Sequence, residues 1–330
     1  MTTSQTMRAA ILEAHDRPLR VTTISTPAIG PGEALVRIHA SGVNPLDTKI
    51  HAGAATHARH PLPAILGLDL AGVVERVGRD VVRVAPGDEV YGMTGGVGGV
   101  PGSLAEFASV DAALLAVKPA NLTMREAAAL PLIVITAWEG LIDRAAVTAG
   151  QNVLIQGGAG GVGHVAVQIA RAFGANVFAT GSAAQRATIE RLGAVFIDRS
   201  RAVDDYVAAH TGGRGFDVVY DTVGGPVLDA SFAAVRRFGH VVSALGWGTH
   251  ALAPLSFRAA SYSGVFTLLP LLSGEGRDRH GRILAEATRL VETGRLIPLL
   301  DARHFTLDTV GEAYALIRDR AATGKLVVDV

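Results

Sequence analysis

The stretch Val153 to Gly163 reads VLIQGGAGGVG and runs on into HVAVQIARAFG. An aliphatic, β-branched run (Val153, Leu154, Ile155) breaks at a cluster of glycines, after which Val165, Ile169 and Phe173 recur at helical spacing. The pattern predicts strand, tight turn and helix. Gly158, Gly160 and Gly163 fit G-x-G-x-x-G, in which the first glycine allows the turn, the second lets backbone approach a pyrophosphate and the third lets helix pack on strand. The helix N-terminus then offers free N–H groups and the positive end of its dipole to phosphate. A glycine-rich surface loop shares this composition but not its setting. Here a strand precedes, a helix follows, and a second strand predicted at Asn176 to Thr180 completes a βαβ unit, so the stretch reads as a dinucleotide site with Gly158, Gly160, Gly161, Val162 and Gly163 as its cofactor-binding residues.

An acidic residue that holds the adenosine ribose belongs about 20 residues further on. Thr180, Gly181 and Ser182 occupy that region, Arg186 follows, and no Asp or Glu lies between Gly163 and Glu190. A carboxylate there would repel a 2′-phosphate, whereas Ser182 and Arg186 supply a hydroxyl and a guanidinium to bind one. The cofactor expected is therefore NADP(H).

The 330 residues are enough for two domains with substantial cores. Thirty basic side chains balance thirty acidic ones with no run of either sign, which is unlike the footprint of a nucleic-acid or anionic-membrane binder and points to a small partner. The amino end MTTSQTMRAA has no apolar leader, and the most apolar stretch, Ala127 to Trp138, is interrupted by Pro131 and Thr136, so the expectation is a soluble cytoplasmic protein. Cysteine is absent, which excludes disulfides, thiolate chemistry and every cysteine zinc site.

The chain opens with short strands broken by Pro and Gly: Leu19 to Ile24, Ala34 to Ala40, Ala71 to Val77 and Glu89 to Tyr91. In the second of these, Leu35, Arg37 and His39 alternate with Val36 and Ile38, as in a half-buried strand. Such spacing suggests a small β-barrel, with GMTGGVGGVPGS as a mobile loop and a capping box at Thr123 to Glu126. Strands predicted at Val153 to Gln156, Asn176 to Thr180, Ala194 to Asp198, Phe216 to Asp221 and His240 to Leu245, with helices between most of them, make a doubly wound parallel sheet of the Rossmann kind. Ser261 to Leu269 is an apolar strand candidate ending that sheet, an edge that invites pairing with a twin in a homodimer. After Leu269 the rhythm stops, with helices predicted from about Arg282 to Thr293 and from Leu307 to Arg318 and strands near Arg303 to Phe305 and at Lys325 to Val330. The last strand is expected to return to the first domain, giving a discontinuous domain of residues 1–126 and 270–330 and a nucleotide-binding domain of 127–269.

SGVNPLDTKI (Ser41 to Ile50), LGLDLAGVVERVG (Leu66 to Gly78), PGDEVYG (Pro86 to Gly92), GGAGGVG (Gly157 to Gly163), VVYDTVGG (Val218 to Gly225) and TGKLVV (Thr323 to Val328) together resemble the medium-chain dehydrogenase/reductase superfamily, and within it the zinc-free quinone oxidoreductase (ζ-crystallin-like) branch. The resemblance covers nearly the whole chain in order. It implies an α/β fold in which a GroES-like β-barrel domain accompanies a Rossmann domain. Zinc alcohol dehydrogenases carry a cysteine ligand where this chain has Asn44, and G-H-E where it has Gly67, Leu68 and Asp69. Their four-cysteine lobe has no counterpart in GMTGGVGGVPGS, so the resemblance implies no metal.

Without a Lewis acid, simple alcohol oxidation lacks its main electrostatic aid. Hydride added to a quinone or to the β-carbon of an enone leaves a delocalised oxyanion, which a few hydrogen-bond donors stabilise. The family match places Asn44 beside nicotinamide and substrate as a donor, with a turn role before Pro45 as its alternative. It brings Thr136 to the nicotinamide amide or ribose, the alternative being a helix-interior threonine bonded to its own backbone. Asp221 and Gly246, at strand C-terminal ends, and Arg320, which resembles a family arginine, complete the expected cofactor set, although Asp221 also suits a helix cap. Asp47 and Asp69 read as supports for turns and strand ends. His51, His57 and His60 match no common metal-ligand spacing and suit a solvated rim at the substrate entrance. As proton donors only Tyr262 and His51 suggest themselves. Two functional classes stay open: an NADPH-dependent reductase of quinones or enones, and a non-catalytic NADPH-binding structural or redox-sensing protein. A zinc alcohol dehydrogenase is a third, which the ligand positions oppose.

Overall fold

The computed structural model describes residues 6–330, so the first five residues of MTTSQTMRAA lie outside the described part. The chain forms two compact units. The first comprises the residues up to Leu132 together with Leu268–Thr293 and Pro298–Val330, and the second comprises Ile133–Thr267 and Gly294–Ile297. Both limits differ from the expected ones. Residues 127–132 fall in the first unit, where the short helix α2 (Met124–Ala128) packs on strands, and 294–297 fall in the second, where Gln168 holds Ile297 through Nε2 to its carbonyl (3.0 Å) and Oε1 from its N–H (2.9 Å).

Among the described residues the first unit is mostly antiparallel, with a short parallel pair near its C-terminal end and a parallel bridge between Leu300 and Lys325. Its strands are β1 (Thr6–Leu12), β2 (Arg20–Ser25), β3 (Glu33–Gly42), β4 (Ala64–Ile65), β5 (Asp69–Val77), β6 (Glu89–Met93), β7 (Phe107–Asp111) and β8 (Leu115–Val117). β2-β1-β4 form one sheet, and β3, β5, β6 and β8 with β7 beside β3 form the core of another. β3 is paired on both edges, by β5 and β7. Arg37 and His39 are exposed as the alternation requires, but Leu35 is buried; the pairing with β5 slips between Leu35 and Val36, with Glu75 of β5 left over. The expected mobile loop at Gly92–Ser103 is instead packed: Val97 is fully buried, and a Cβ on Gly95, Gly96 or Gly102 would fall within 2.6 Å of backbone. Its glycines serve close backbone approach.

The second unit holds β9 (Asn152–Gln156), β10 (Asn176–Gly181), β11 (Val195–Asp198), β12 (Phe216–Asp221), β13 (Val235–Ser243) and β14 (Ser261–Gly264) in one parallel sheet of order β11-β10-β9-β12-β13-β14. The order reverses between β9 and β12, the place where open α/β sheets bind ligands at strand C-terminal ends. Leu154, Phe216, Val219 and Phe232 fill its core, each worth roughly 1.5–3 kcal/mol of apolar burial. β14 stops after four mostly exposed residues, so the apolar continuation Val265 and Leu268 leaves the sheet and is buried.

The chain returns to the first unit through β15 (Phe305–Thr306) and β16 (Val327–Asp329), and β16 runs antiparallel to β3 with Val328 opposite Ser41. That register sets Lys325 next to the chain leaving β3. The fold is a Rossmann domain with a parallel sheet plus a GroES-like domain. No helix among the described residues is long and apolar enough to cross a membrane.

Candidate functional site

The glycine loop follows β9 and leads into α4 (Gly161–Ala172), with Gly160 as its N-cap. Its glycines divide by burial. Gly158 and Gly163 are buried; a Cβ on Gly158 would lie 2.4 Å from that of Ala179 and one on Gly163 would lie 2.0 Å from the Gly157 carbonyl oxygen. Gly160 and Gly161 are exposed, and a Cβ on Gly160 would meet only the Gly157 oxygen, at 3.2 Å. The turn itself is made at Gly157, whose φ is +77°, and not at Gly158 as the motif reading has it. Gly158 is instead a packing glycine against β10. Thr180 braces the turn, accepting from the Gly157 N–H (3.0 Å) and donating to Gln156 Oε1 (2.8 Å). The open space at Gly160 and Gly161, with the N–H groups of the first turn of α4 that a helix leaves without an α-helical acceptor, fits a dinucleotide pyrophosphate.

Past β10, Ser182 has its backbone N–H (3.0 Å) and its hydroxyl (3.3 Å) on Gln185 Oε1. Arg186 lies over the Phe196 ring with 4.2 Å to the centroid and pairs with Glu190 at 3.3 Å. Its side chain remains 58% exposed. Ser200 most of all, then Arg186 and Arg199, lower the pKa of the half-buried Asp198 at the end of β11.

Thr136 is buried in α3 (Pro131–Trp138), with its hydroxyl 2.9 Å from that of Thr267 and its carbonyl accepting from Tyr220 (2.7 Å). Two expected cofactor residues have internal occupations. Asp221 is fully buried and its carboxylate accepts from the N–H groups of Val223 (3.0 Å) and Gly224 (2.9 Å) and from the Ser243 hydroxyl (2.7 Å). It braces the loop after β12. Gly246 makes room for the Tyr262 hydroxyl, which a Cβ there would meet at 2.2 Å. Arg320 belongs to the first unit, where it is exposed with φ +55°.

In the first unit, Asn44 ends the chain that leaves β3 and caps α1 (Pro45–His51), its backbone N–H donating to Asp47 Oδ2 at 2.8 Å. Its side chain is fully buried. Nδ2 donates to Asp69 Oδ2 (2.9 Å) and Oδ1 accepts from Lys325 Nζ (2.5 Å), which also donates to the Val43 carbonyl (2.8 Å). The other Asp69 oxygen accepts from the Leu132 N–H (3.0 Å). Burial pushes Asp47 up to about 7, helped by Asp69 and opposed by the Asn44 N–H and Lys325. Burial likewise lifts Asp69 to about 6, against Lys325, Asn44 and Leu132. The same burial lowers the Lys325 pKa while both carboxylates raise it. Asp47 Oδ1 and the Tyr314 hydroxyl are buried with no partner among the described residues. Sequence reading overlooked Lys325 altogether; the signal was a lysine leading an apolar run in TGKLVV, where a strand about to be buried would not hold an unpaired charge.

The residues do not fit a zinc ion. Leu68 is fully buried and offers no lone pair, and a metal at Asn44 Oδ1 would meet the Lys325 ammonium. Among the described residues no group of three or more His, Asp or Glu is placed to hold a metal. Nor are the loop histidines a free rim. His51 Nε2 meets the Arg17 carbonyl at 2.8 Å with its ring edge-on to Tyr314, and His60 Nε2 meets the Ile65 carbonyl at 3.3 Å. They tie the loop down.

Residues 30–120 match the alcohol dehydrogenase GroES-like domain and residues 192–328 match zinc-binding dehydrogenase. A 2-methylene-furan-3-one reductase of Solanum lycopersicum is 35% identical over 92% of this chain and 74% of its own. The chloroplastic NADPH-dependent alkenal/one oxidoreductase of Arabidopsis thaliana is 33% identical over the same shares, 92% and 74%. The crystal structure of an alcohol dehydrogenase superfamily protein from Novosphingobium aromaticivorans superposes with a TM-score of 0.97 at 58% identity, over 98% of this chain and 99% of that one. With both domains matched and relatives aligned along nearly its whole length, the chain belongs to the medium-chain dehydrogenase/reductase superfamily and is an oxidoreductase of that family.

Proposed function

We propose that this protein reduces quinones or α,β-unsaturated carbonyls with NADPH and without zinc. The observation that carries the reading is the pair Asn44 and Leu68 at the family's zinc-ligand positions, with Asn44 bonded to Lys325 and Asp69. The names of the relatives, one a methylene-furanone reductase and one an alkenal/one oxidoreductase, support a conjugated acceptor. When bound, NADPH supplies the hydride. The exposed Gly160 and Gly161 at the start of α4 bind its pyrophosphate, and Arg186 reads the 2′-phosphate from its seat on Phe196. Thr136, fixed against Thr267, orients the nicotinamide end. Asn44 donates an amide N–H hydrogen bond to the oxyanion that forms as the conjugated system is reduced, and solvent supplies the proton that completes the product. The protein acts as a homodimer, joined through the exposed edge strand β14.

Asn44→Ala tests the reading. Its kcat for trans-2-hexenal or 1,4-benzoquinone should fall on the order of 10- to 1000-fold while NADPH affinity stays nearly constant. Full kcat in this variant would remove Asn44 from the mechanism.

A further inference from the structure

We propose that Lys325 and Asp69 are positioning residues that lock the Asn44 amide in one orientation and leave its second N–H for the substrate oxyanion. This rests on the reading above, in which Asn44 is the donor. An asparagine amide is nearly symmetrical in shape, and only its bonding partners decide which end is oxygen. Here the carbonyl end faces an ammonium 2.5 Å away and the NH2 end faces a carboxylate 2.9 Å away. A flip would set NH2 against Lys325 and C=O against Asp69, two repulsive contacts in a buried site where charges are weakly screened. Only one of the two amide hydrogens is used by Asp69, and the other has no partner among the described residues.

Both holders have their own anchors. Lys325 is fixed by backbone on two sides, its N–H on the Leu299 carbonyl (2.7 Å) and its carbonyl under the Asp301 N–H (3.0 Å), while Nζ also meets the Val43 carbonyl (2.8 Å). Asp69 is held by the Leu132 N–H (3.0 Å). The ammonium also draws electron density from the amide carbonyl, which makes the remaining N–H a stronger donor. Such a donor is aimed before the reaction begins, so no reorganisation is needed as charge develops.

A folding staple built from the same residues would change stability and leave the chemistry of the folded enzyme alone. The test is therefore kcat and KM for trans-2-hexenal, with NADPH Kd, in folded Lys325→Met, Lys325→Gln and Asp69→Asn. Lys325→Met should lose on the order of 10- to 100-fold in kcat, with NADPH Kd within about two-fold of wild type. Lys325→Gln, whose amide can still donate to Asn44 Oδ1, should recover part of that loss. Asp69→Asn keeps shape but no longer selects one amide orientation, and it should lose kcat as well; it decides the matter if the Lys325 variants fail to fold. Full kcat in folded Lys325→Met or in Asp69→Asn overturns the proposal, as does equal loss in Met and Gln variants accompanied by weaker NADPH binding. Asn44→Ala is measured alongside. If it loses kcat while the Lys325 and Asp69 variants keep theirs, only the positioning role is wrong; if it too keeps full kcat, the donor role of Asn44 is what fails.

Discussion

The glycine loop of the second unit and the Asn44 cluster of the first are built by opposite means. The loop works through what it lacks: buried Gly158 and Gly163 let α4 close on β9 and β10, and exposed Gly160 and Gly161 leave backbone donors uncovered. The cluster works through what it encloses out of water: an amide held between the Asp69 carboxylate and the Lys325 ammonium, with the Asp47 carboxylate beside them on the Asn44 backbone N–H. The loop is local in sequence. The cluster joins residues 281 positions apart. Affinity for cofactor should therefore depend on the loop, and turnover on the cluster.

The sharpest break in that comparison comes from Gly163→Ala. Its Cβ would lie 2.0 Å from the Gly157 carbonyl oxygen, so helix and turn must part, and overpacking of this kind costs about 1–3 kcal/mol or more. Thermal unfolding should show the loss, and fluorescence titration should show NADPH binding weakened by on the order of 100-fold or more, about 2.7 kcal/mol. Gly160→Ala should instead keep a near-normal Tm and weaken NADPH alone, since its Cβ meets little of the chain.

Next in size is Arg186→Ala. Removal of a charge-assisted bond worth about 1.5–3 kcal/mol should raise the Kd for NADPH by about 10- to 100-fold and leave that for NADH nearly unchanged. Equal losses for both cofactors would show that the guanidinium only bridges Phe196 and Glu190.

A separate break in the comparison concerns pH. Burial raises Asp47 to about 7 from an ordinary 3.8, so the folded state holds this proton more tightly than the unfolded one. Its contribution to stability is full below about pH 4 and is lost as pH rises through 7. Asp47→Asn, which stays neutral and can still accept from the Asn44 N–H, should gain in Tm relative to wild type between pH 5 and pH 8. A constant difference across that range would mean that Asp47 titrates normally.

The same contrast explains what the sequence made legible. The loop, the parallel sheet and the return of the last strand follow from short-range patterns, glycine spacing and βαβ rhythm, and were open to reading. Which glycine turns the chain was not, because Gly157 and Gly158 are adjacent and differ only in φ and in the neighbour Ala179. Asp221 and Gly246 stand at strand ends where cofactor residues belong, yet Ser243 and Tyr262, distant in sequence, take up their hydrogen bonds and space. Asp47, Asp69 and Lys325 each look like ordinary polar residues until β16 pairs with β3. A cluster assembled by that pairing leaves no local pattern.

The measurement that goes most directly to the central claim is a comparison of kcat/KM for trans-2-hexenal and for hexanal, with NADPH, on chelator-treated protein whose zinc content is known. Metal-free stabilisation of a delocalised oxyanion predicts no stoichiometric zinc, activity indifferent to the chelator, and reduction of the conjugated aldehyde at least on the order of 100-fold more efficient than that of the saturated one. One tightly held zinc per chain, or equal rates on the two aldehydes, would contradict it.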